Sequence, residues 1–304
     1  MTVPGGPAPK APPEAAGVAM IVAAALTWGA IPLFVRNVHT SAVVIVFWRM
    51  AFALAATLPF TLAAGGQREF AALPARRKVG LAVQGALLGL NWVLFFTGLQ
   101  LAPVAVAEML AYCGPVLVAA LAPVWLGERF DRRILVPLAL ALGGTALILG
   151  PTDLSGGART WLGAACAGAS AFTYAALVLN AKRLVTGMST MLYMTVEWVV
   201  ALALLSPALL LPGPTAPIEW GSLAVLGVVQ TAATGFLFVT GLRGVRADRA
   251  ATLTYLEPAG AVLFAAAFLG EGLTAVSVAG GLAVIAAGAI VARLAPAPAS
   301  GEAP

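Results

Sequence analysis

Residues 97–128 read TGLQLAPVAVAEMLAYCGPVLVAALAPVWLGE, and residues 240–271 read TGLRGVRADRAATLTYLEPAGAVLFAAAFLGE. At a shift of 143, Thr97-Gly98-Leu99 falls on Thr240-Gly241-Leu242, and Leu126-Gly127-Glu128 falls on Leu269-Gly270-Glu271. Between them Ala107, Leu110, Tyr112 and Pro115 meet Ala250, Leu253, Tyr255 and Pro258. A second match, at a shift of 148, sets Ala53-Leu54 and Pro59 on Ala201-Leu202 and Pro207. The chain is an internal duplication, which constrains the architecture before any single element is read.

The composition says where the duplicated unit lives. Of 304 residues, 61% are hydrophobic and 10% charged, with mean hydropathy +0.97. A soluble domain carries roughly 25% charged residues, so this chain cannot furnish a polar skin. Ten apolar stretches run 17–35, 41–63, 79–99, 103–126, 134–150, 160–181, 188–211, 220–242, 250–270 and 273–292. Each approaches or exceeds the length of helix that crosses a hydrocarbon core. None alternates polar and apolar residues as a barrel strand would. Backbone groups in lipid must be satisfied within the segment, so the stretches are helices. The expectation is an all-α membrane protein with ten transmembrane helices.

Five spans fall in each copy, 17–150 and 151–293. Five is odd, so the second copy enters the membrane in the opposite sense: two inverted five-helix repeats. Segments 1–16 and 294–304 are rich in Pro and Ala and read as disordered tails. With the N-terminus in the cytoplasm, fourteen of the seventeen Lys and Arg fall on the cytoplasmic side, Arg36 and Arg159 outside, and Arg49 within a span. That bias is the positive-inside pattern. It places both termini in the cytoplasm, and the Ala-rich, lightly charged chain points to a multi-pass protein of a bacterial inner membrane. The net charge of +5 sits in short loops with no basic stripe, so no nucleic-acid partner is expected. Cys113 and Cys166 lie in apolar stretches and read as buried small hydrophobes.

The duplicated spans, with Trp28-Gly29 in the first, resemble the EamA family of the drug/metabolite transporter superfamily. The resemblance covers residues from about 17 to 293. It implies a ten-helix carrier of small metabolites, often an exporter of amino acids. It also implies a central cavity lined by the first, third, fourth, sixth, eighth and ninth spans. Inverted repeats independently favour a secondary transporter with its site near the midplane; the alternatives are an importer or exchanger of another metabolite, such as a nucleoside or amine, and a non-transporting membrane protein.

Four ionisable residues lie inside spans: Arg49, Glu108, Glu197 and Glu257. Such groups are costly in lipid and are paired or functional. Glu197 is the repeat mate of Arg49, so the two read as a salt bridge between halves, as a gate, or as an anchor for a substrate carboxylate. Glu108 reads either as reaching the headgroups or as part of a site. Glu257 reads as a site for an ammonium group or a carried proton, which leaves proton coupling open. Pro115 and Pro258 read as kinks or hinges, freeing the carbonyls of Ala111 and Thr254. Trp28, Asn91, Trp92, Tyr112, Tyr174, Gln230 and Tyr255 lie within spans and, with Glu257, form the candidate substrate-binding set. Trp48 and Trp198, each beside a span charge, read as lipid-facing. Trp161 and Trp220 read as interface anchors.

The lone histidine, His39, argues against a His-based zinc site, a haem or a Ser-His dyad. No P-loop is present. No cofactor and no catalytic residue are expected, and the chain is not expected to be an enzyme. The expected partners are a small-molecule substrate and the lipid bilayer, with the oligomeric state left open.

Overall fold

The computed structural model describes residues 10–128, 130–150, 157–269 and 274–294. The tail segments 1–9 and 295–304 lie outside the described residues, as do Arg129 and the Gly270-Glu271 end of the second repeated motif. Among the described residues, ten helices are long and apolar enough to cross a membrane. They are Glu14–Val35, Ala42–Ala63, Ala75–Leu101, Val104–Leu126, Arg132–Leu149, Gly157–Leu184, Thr190–Leu210, Pro217–Gly244, Ala247–Phe268 and Ala275–Arg293, called spans 1 to 10 below. Their outward faces are apolar: Val124 is 86% exposed and Leu210 88%. Water would not tolerate such a surface, and lipid tails match it.

The two halves repeat each other in packing. Span 3 lies against span 6, and its mate span 8 lies against span 1. Span 7 packs on span 3, as span 2 packs on span 8. Spans 2 and 7, 4 and 9, and 5 and 10 pair across the pseudo-twofold relation. Without a hydrophobic drive between helices in lipid, close backbone approach has to hold them. At the span 3–span 7 contact a Cβ on Gly85 would stand 2.5 Å from the Glu197 carbonyl oxygen. At the equivalent span 8–span 2 contact a Cβ on Gly227 would stand 2.6 Å from the Arg49 carbonyl oxygen. The repeat mates Arg49 and Glu197 therefore sit at equivalent helix crossings.

Spans 1, 4, 8 and 9 are not continuous α-helices. Span 1 turns at Gly29–Ala30, span 4 at Tyr112–Cys113 and span 9 at Thr254–Tyr255. Span 8 passes through a π-helical turn at Val228–Ala233. The prolines sit in the first turn of the second segments, Gly114–Leu126 and Leu256–Leu269. In that position their missing N–H has no helical partner to lose. The freed carbonyls differ from expectation. Thr254 O accepts the Glu257 N–H at 3.0 Å, and the carbonyl engaged from another span is that of Tyr112, which accepts the Tyr255 hydroxyl.

Spans 5 and 10 cross where Gly144 and Gly280 meet, each Cβ position facing the other's carbonyl oxygen at 2.7 and 2.5 Å. Gly144→Leu is expected to destabilise the protein by about 1–3 kcal/mol, as overpacking of a close contact does. Nothing lies within 4 Å of a Cβ on Gly143, so Gly143→Ala is expected to be neutral. Thermal unfolding midpoints in detergent check both.

Candidate functional site

A cavity of about 560 Å³ opens at the end of the bundle that carries the loops between spans 1 and 2 and between spans 3 and 4, with Arg36 and Gln100 at its mouth. That size suits a small organic ligand. Trp28, Asn91, Trp92, Tyr112, Tyr174 and Glu257 all line it, so six of the eight expected binding residues converge. Glu108 lines it too, and so does not reach for headgroups. The walls come from spans 1, 2, 3, 4, 6 and 9. Span 2 contributes Ile45, whereas span 8 lines only a smaller chamber deeper in the bundle.

The wall residues are held from behind. The Trp28 indole donates to the Gln230 carbonyl at 3.1 Å and to the Thr234 hydroxyl at 2.7 Å. The π-helical turn makes this carbonyl available, because its wider register leaves oxygens off the i→i−4 ladder. Asn91 accepts from Thr173 at 2.8 Å. The Tyr174 and Thr254 hydroxyls share a hydrogen bond of 3.1 Å. Trp92 stacks on Phe96 and carries the Arg49 guanidinium 3.9 Å above its ring centroid. Among the described residues, neither Glu108 nor Glu257 has a side-chain hydrogen bond or ion-pair partner. Two carboxylates thus face the cavity with their oxygens uncommitted.

Four expectations need correction. Arg49 and Glu197 do not pair: the Arg49 Nε donates to the Thr231 hydroxyl, its Nη2 to the Gln230 carbonyl at 3.2 Å, and Glu197 accepts from Gln84 at 3.0 Å and Tyr193 at 3.4 Å. The helices bring the two residues to equivalent depth, but local acceptors and donors capture each side chain first. Tyr255 is 1% exposed and reaches neither chamber, because its hydroxyl is turned onto the Tyr112 carbonyl. Gln230 lies in the deeper chamber rather than the main cavity. Trp198, expected to face lipid, is 2% exposed and lines that same chamber, while Trp48 packs edge-on against Trp220 at 4.7 Å.

The opposite end of the bundle is laced shut. Arg249 pairs with Glu14 at 2.6 Å and Asp131 at 3.7 Å. Arg246 pairs with Asp248 at 2.9 Å and Glu128 at 3.7 Å. Lys182 donates to the Leu242 and Val245 carbonyls at 2.6 and 2.5 Å. The contacts tie the start of span 1, the loop after span 4, the end of span 6 and the loop before span 9. The Arg133 hydrogen bond holds the Asp131 carboxyl below the usual carboxylate range. Sequence reasoning placed these charges on one side but did not connect them, since their partners are distant in the chain.

A polytopic bundle of inverted repeats, with a cavity at one end and ion pairs lacing the other, is the architecture of a membrane carrier. The EamA-like transporter family model matches residues 15–150 and 161–293, and the chain belongs to that family. A protein of Archaeoglobus fulgidus described as an uncharacterized transporter is 33% identical over 276 residues, 91% of this chain and 96% of its own. The uncharacterized transporter YwfM of Bacillus subtilis is 28% identical over 207 residues, 67% of this chain and 69% of its own. A solved crystal structure at 19% identity superposes with a TM-score of 0.77, covering 90% of this chain and 96% of that one. At that identity the likeness shows the fold.

Tyr255→Phe removes the hydroxyl that satisfies the Tyr112 carbonyl at the break in span 4. A loss of about 1–3 kcal/mol is expected for the stranded carbonyl. Because Tyr255 does not line the cavity, ligand affinity is expected to stay within twofold of wild type. Unfolding midpoint and equilibrium binding, measured on one preparation, check the split.

Proposed function

We propose that the chain is a secondary transporter that exports small amphiphilic amino compounds, amino acids foremost, across a bacterial inner membrane by alternating access. The observation that carries this reading is the aromatic-walled cavity with two uncommitted carboxylates, Glu108 and Glu257. Apolar aromatic surface suits a hydrophobic side chain, and a desolvated carboxylate suits an ammonium group. Export, rather than import, comes from the likeness to the family.

The excess of Lys and Arg supports a cytoplasmic position for the laced end, together with both termini. The open mouth then faces outward. Rocking of the halves would close the mouth and break the ion pairs of Arg246 and Arg249. Glu257 can hold either the ammonium of the ligand or a proton, so the two would exchange at one carboxylate. Among the described residues, Arg36 at the mouth is the only Lys or Arg on the main cavity wall, which favours a plain amine as the second reading.

Counterflow in proteoliposomes, with amino acids, amines and nucleosides as unlabelled internal compounds, tests the proposal without any assumed driving force. Accumulation of labelled amino acid is expected. Glu257→Gln is expected to cut its initial rate at least tenfold with the unfolding midpoint unchanged. A normal rate and unaltered pH profile in this variant would remove Glu257 from the mechanism. Accumulation with no member of the panel would overturn the amino-compound reading.

A further inference from the structure

Beneath the floor of the main cavity lies a chamber of about 150 Å³. Trp28, Asn91, Trp92 and Tyr174 line both spaces, so the two are separated by a shared wall of side chains. Arg49 and Glu197 both line the inner chamber, 1% and 6% exposed, without forming an ion pair. The Arg49 Nη1 is buried with no hydrogen-bond partner, and so is the Gln230 Oε1. Both hydrogen bonds of Glu197 are accepted by Oε1, which leaves Oε2 without one. The chamber therefore holds a guanidinium N–H without an acceptor and a carboxylate oxygen without a donor, on opposite repeat-related helices.

A buried donor left unpaired is costly, and a charged donor more so. The rest of the guanidinium is fixed: Thr231, the Gln230 carbonyl and the Trp92 face hold it in place. Glu197 is fixed by Gln84, which is itself held by Asn180 at 2.8 Å. Such preorganised, incompletely satisfied groups are complementary to a ligand that brings one acceptor and one donor. We propose that the inner chamber is a second binding station, which takes the zwitterionic head group of an amino acid: carboxylate on Arg49, ammonium on Glu197. The chamber is too small for a large amino acid, so the side chain of the ligand stays against the shared aromatic wall. This inference rests on the amino-compound reading above and adds a requirement that the main cavity does not impose, namely that both ends of the zwitterion are read.

The test uses the purified full chain and three probes of matched side chain: leucine, leucinamide, which lacks the carboxylate, and 4-methylpentanoate, which lacks the amine. Binding is read by calorimetry and counterflow by accumulation in proteoliposomes. Wild type is expected to bind leucine at least tenfold more tightly than either analogue. Arg49→Gln is expected to weaken leucine at least 30-fold while leucinamide changes less than threefold. Glu197→Gln is expected to weaken leucine and leucinamide and leave 4-methylpentanoate within threefold. If Arg49→Gln does not fold, Arg49→Lys replaces it, with the same pattern at smaller amplitude, since an ammonium keeps the charge but loses the planar fork. Equal losses for all three probes, or none, would overturn the station. Counterflow that survives in wild type without discrimination between the probes would sink the station alone. Arg49-dependent binding of leucine without any counterflow would sink the transport reading alone.

Discussion

Inside a hydrocarbon layer a backbone carbonyl released from its helix has no water to turn to, and each irregularity in this bundle is shaped by that constraint. The chain leaves the α-helical ladder in spans 1, 4, 8 and 9. In spans 4 and 8 another span supplies a donor to the released carbonyl. The Tyr255 hydroxyl reaches Tyr112, and the Trp28 indole and Arg49 guanidinium both reach Gln230. Of these donors, Trp28 walls both chambers and Arg49 the inner one. Irregular backbone is tolerated in membranes where it lines a cavity. Here the repair of the backbone and the building of the site use the same side chains.

The inverted repeat provides a symmetric frame that the site then breaks. Equivalent spans pack on equivalent spans, and Gly85 and Gly227 admit equivalent crossings. Yet span 1 is broken while its mate span 6 is continuous, and span 8 carries a π-helical turn absent from span 3. Glu257 aligns with Gly114 and Glu108 with Ala251, so neither cavity carboxylate has a counterpart in the other half. A frame of two inverted repeats with an asymmetric lining is what the proposed alternating-access cycle would use. The ion pairs of Arg246 and Arg249 hold the laced end in the observed arrangement.

The charges illustrate how burial and pairing part company. Arg49 and Glu197 are repeat mates of opposite sign at similar depth, and a direct pair would satisfy both. Instead each is captured by neutral neighbours that lie closer in direction: Thr231 and the Gln230 carbonyl for one, Gln84 and Tyr193 for the other. At the laced end the opposite holds. Arg249, 1% exposed, finds Glu14 from a helix 235 residues away in the chain.

The sequence by itself determined the number of spans, their approximate limits, their alternating sense and the duplication. Apolar length, loop charge and internal repetition are local or periodic properties, and the thickness of the bilayer converts them directly into topology. It also placed Trp28, Asn91, Trp92, Tyr112, Tyr174 and Glu257 at the depth where a cavity would be, because polar and aromatic residues in a span announce themselves against an apolar background. Only the tertiary structure decided direction. Depth along a helix follows from residue count, whereas the face a side chain presents depends on helix rotation, on breaks and on which acceptor is nearest. That is why Tyr255 turned onto a carbonyl, why Gln230 fell into the inner chamber, and why Arg49 and Glu197 came to face one space without touching.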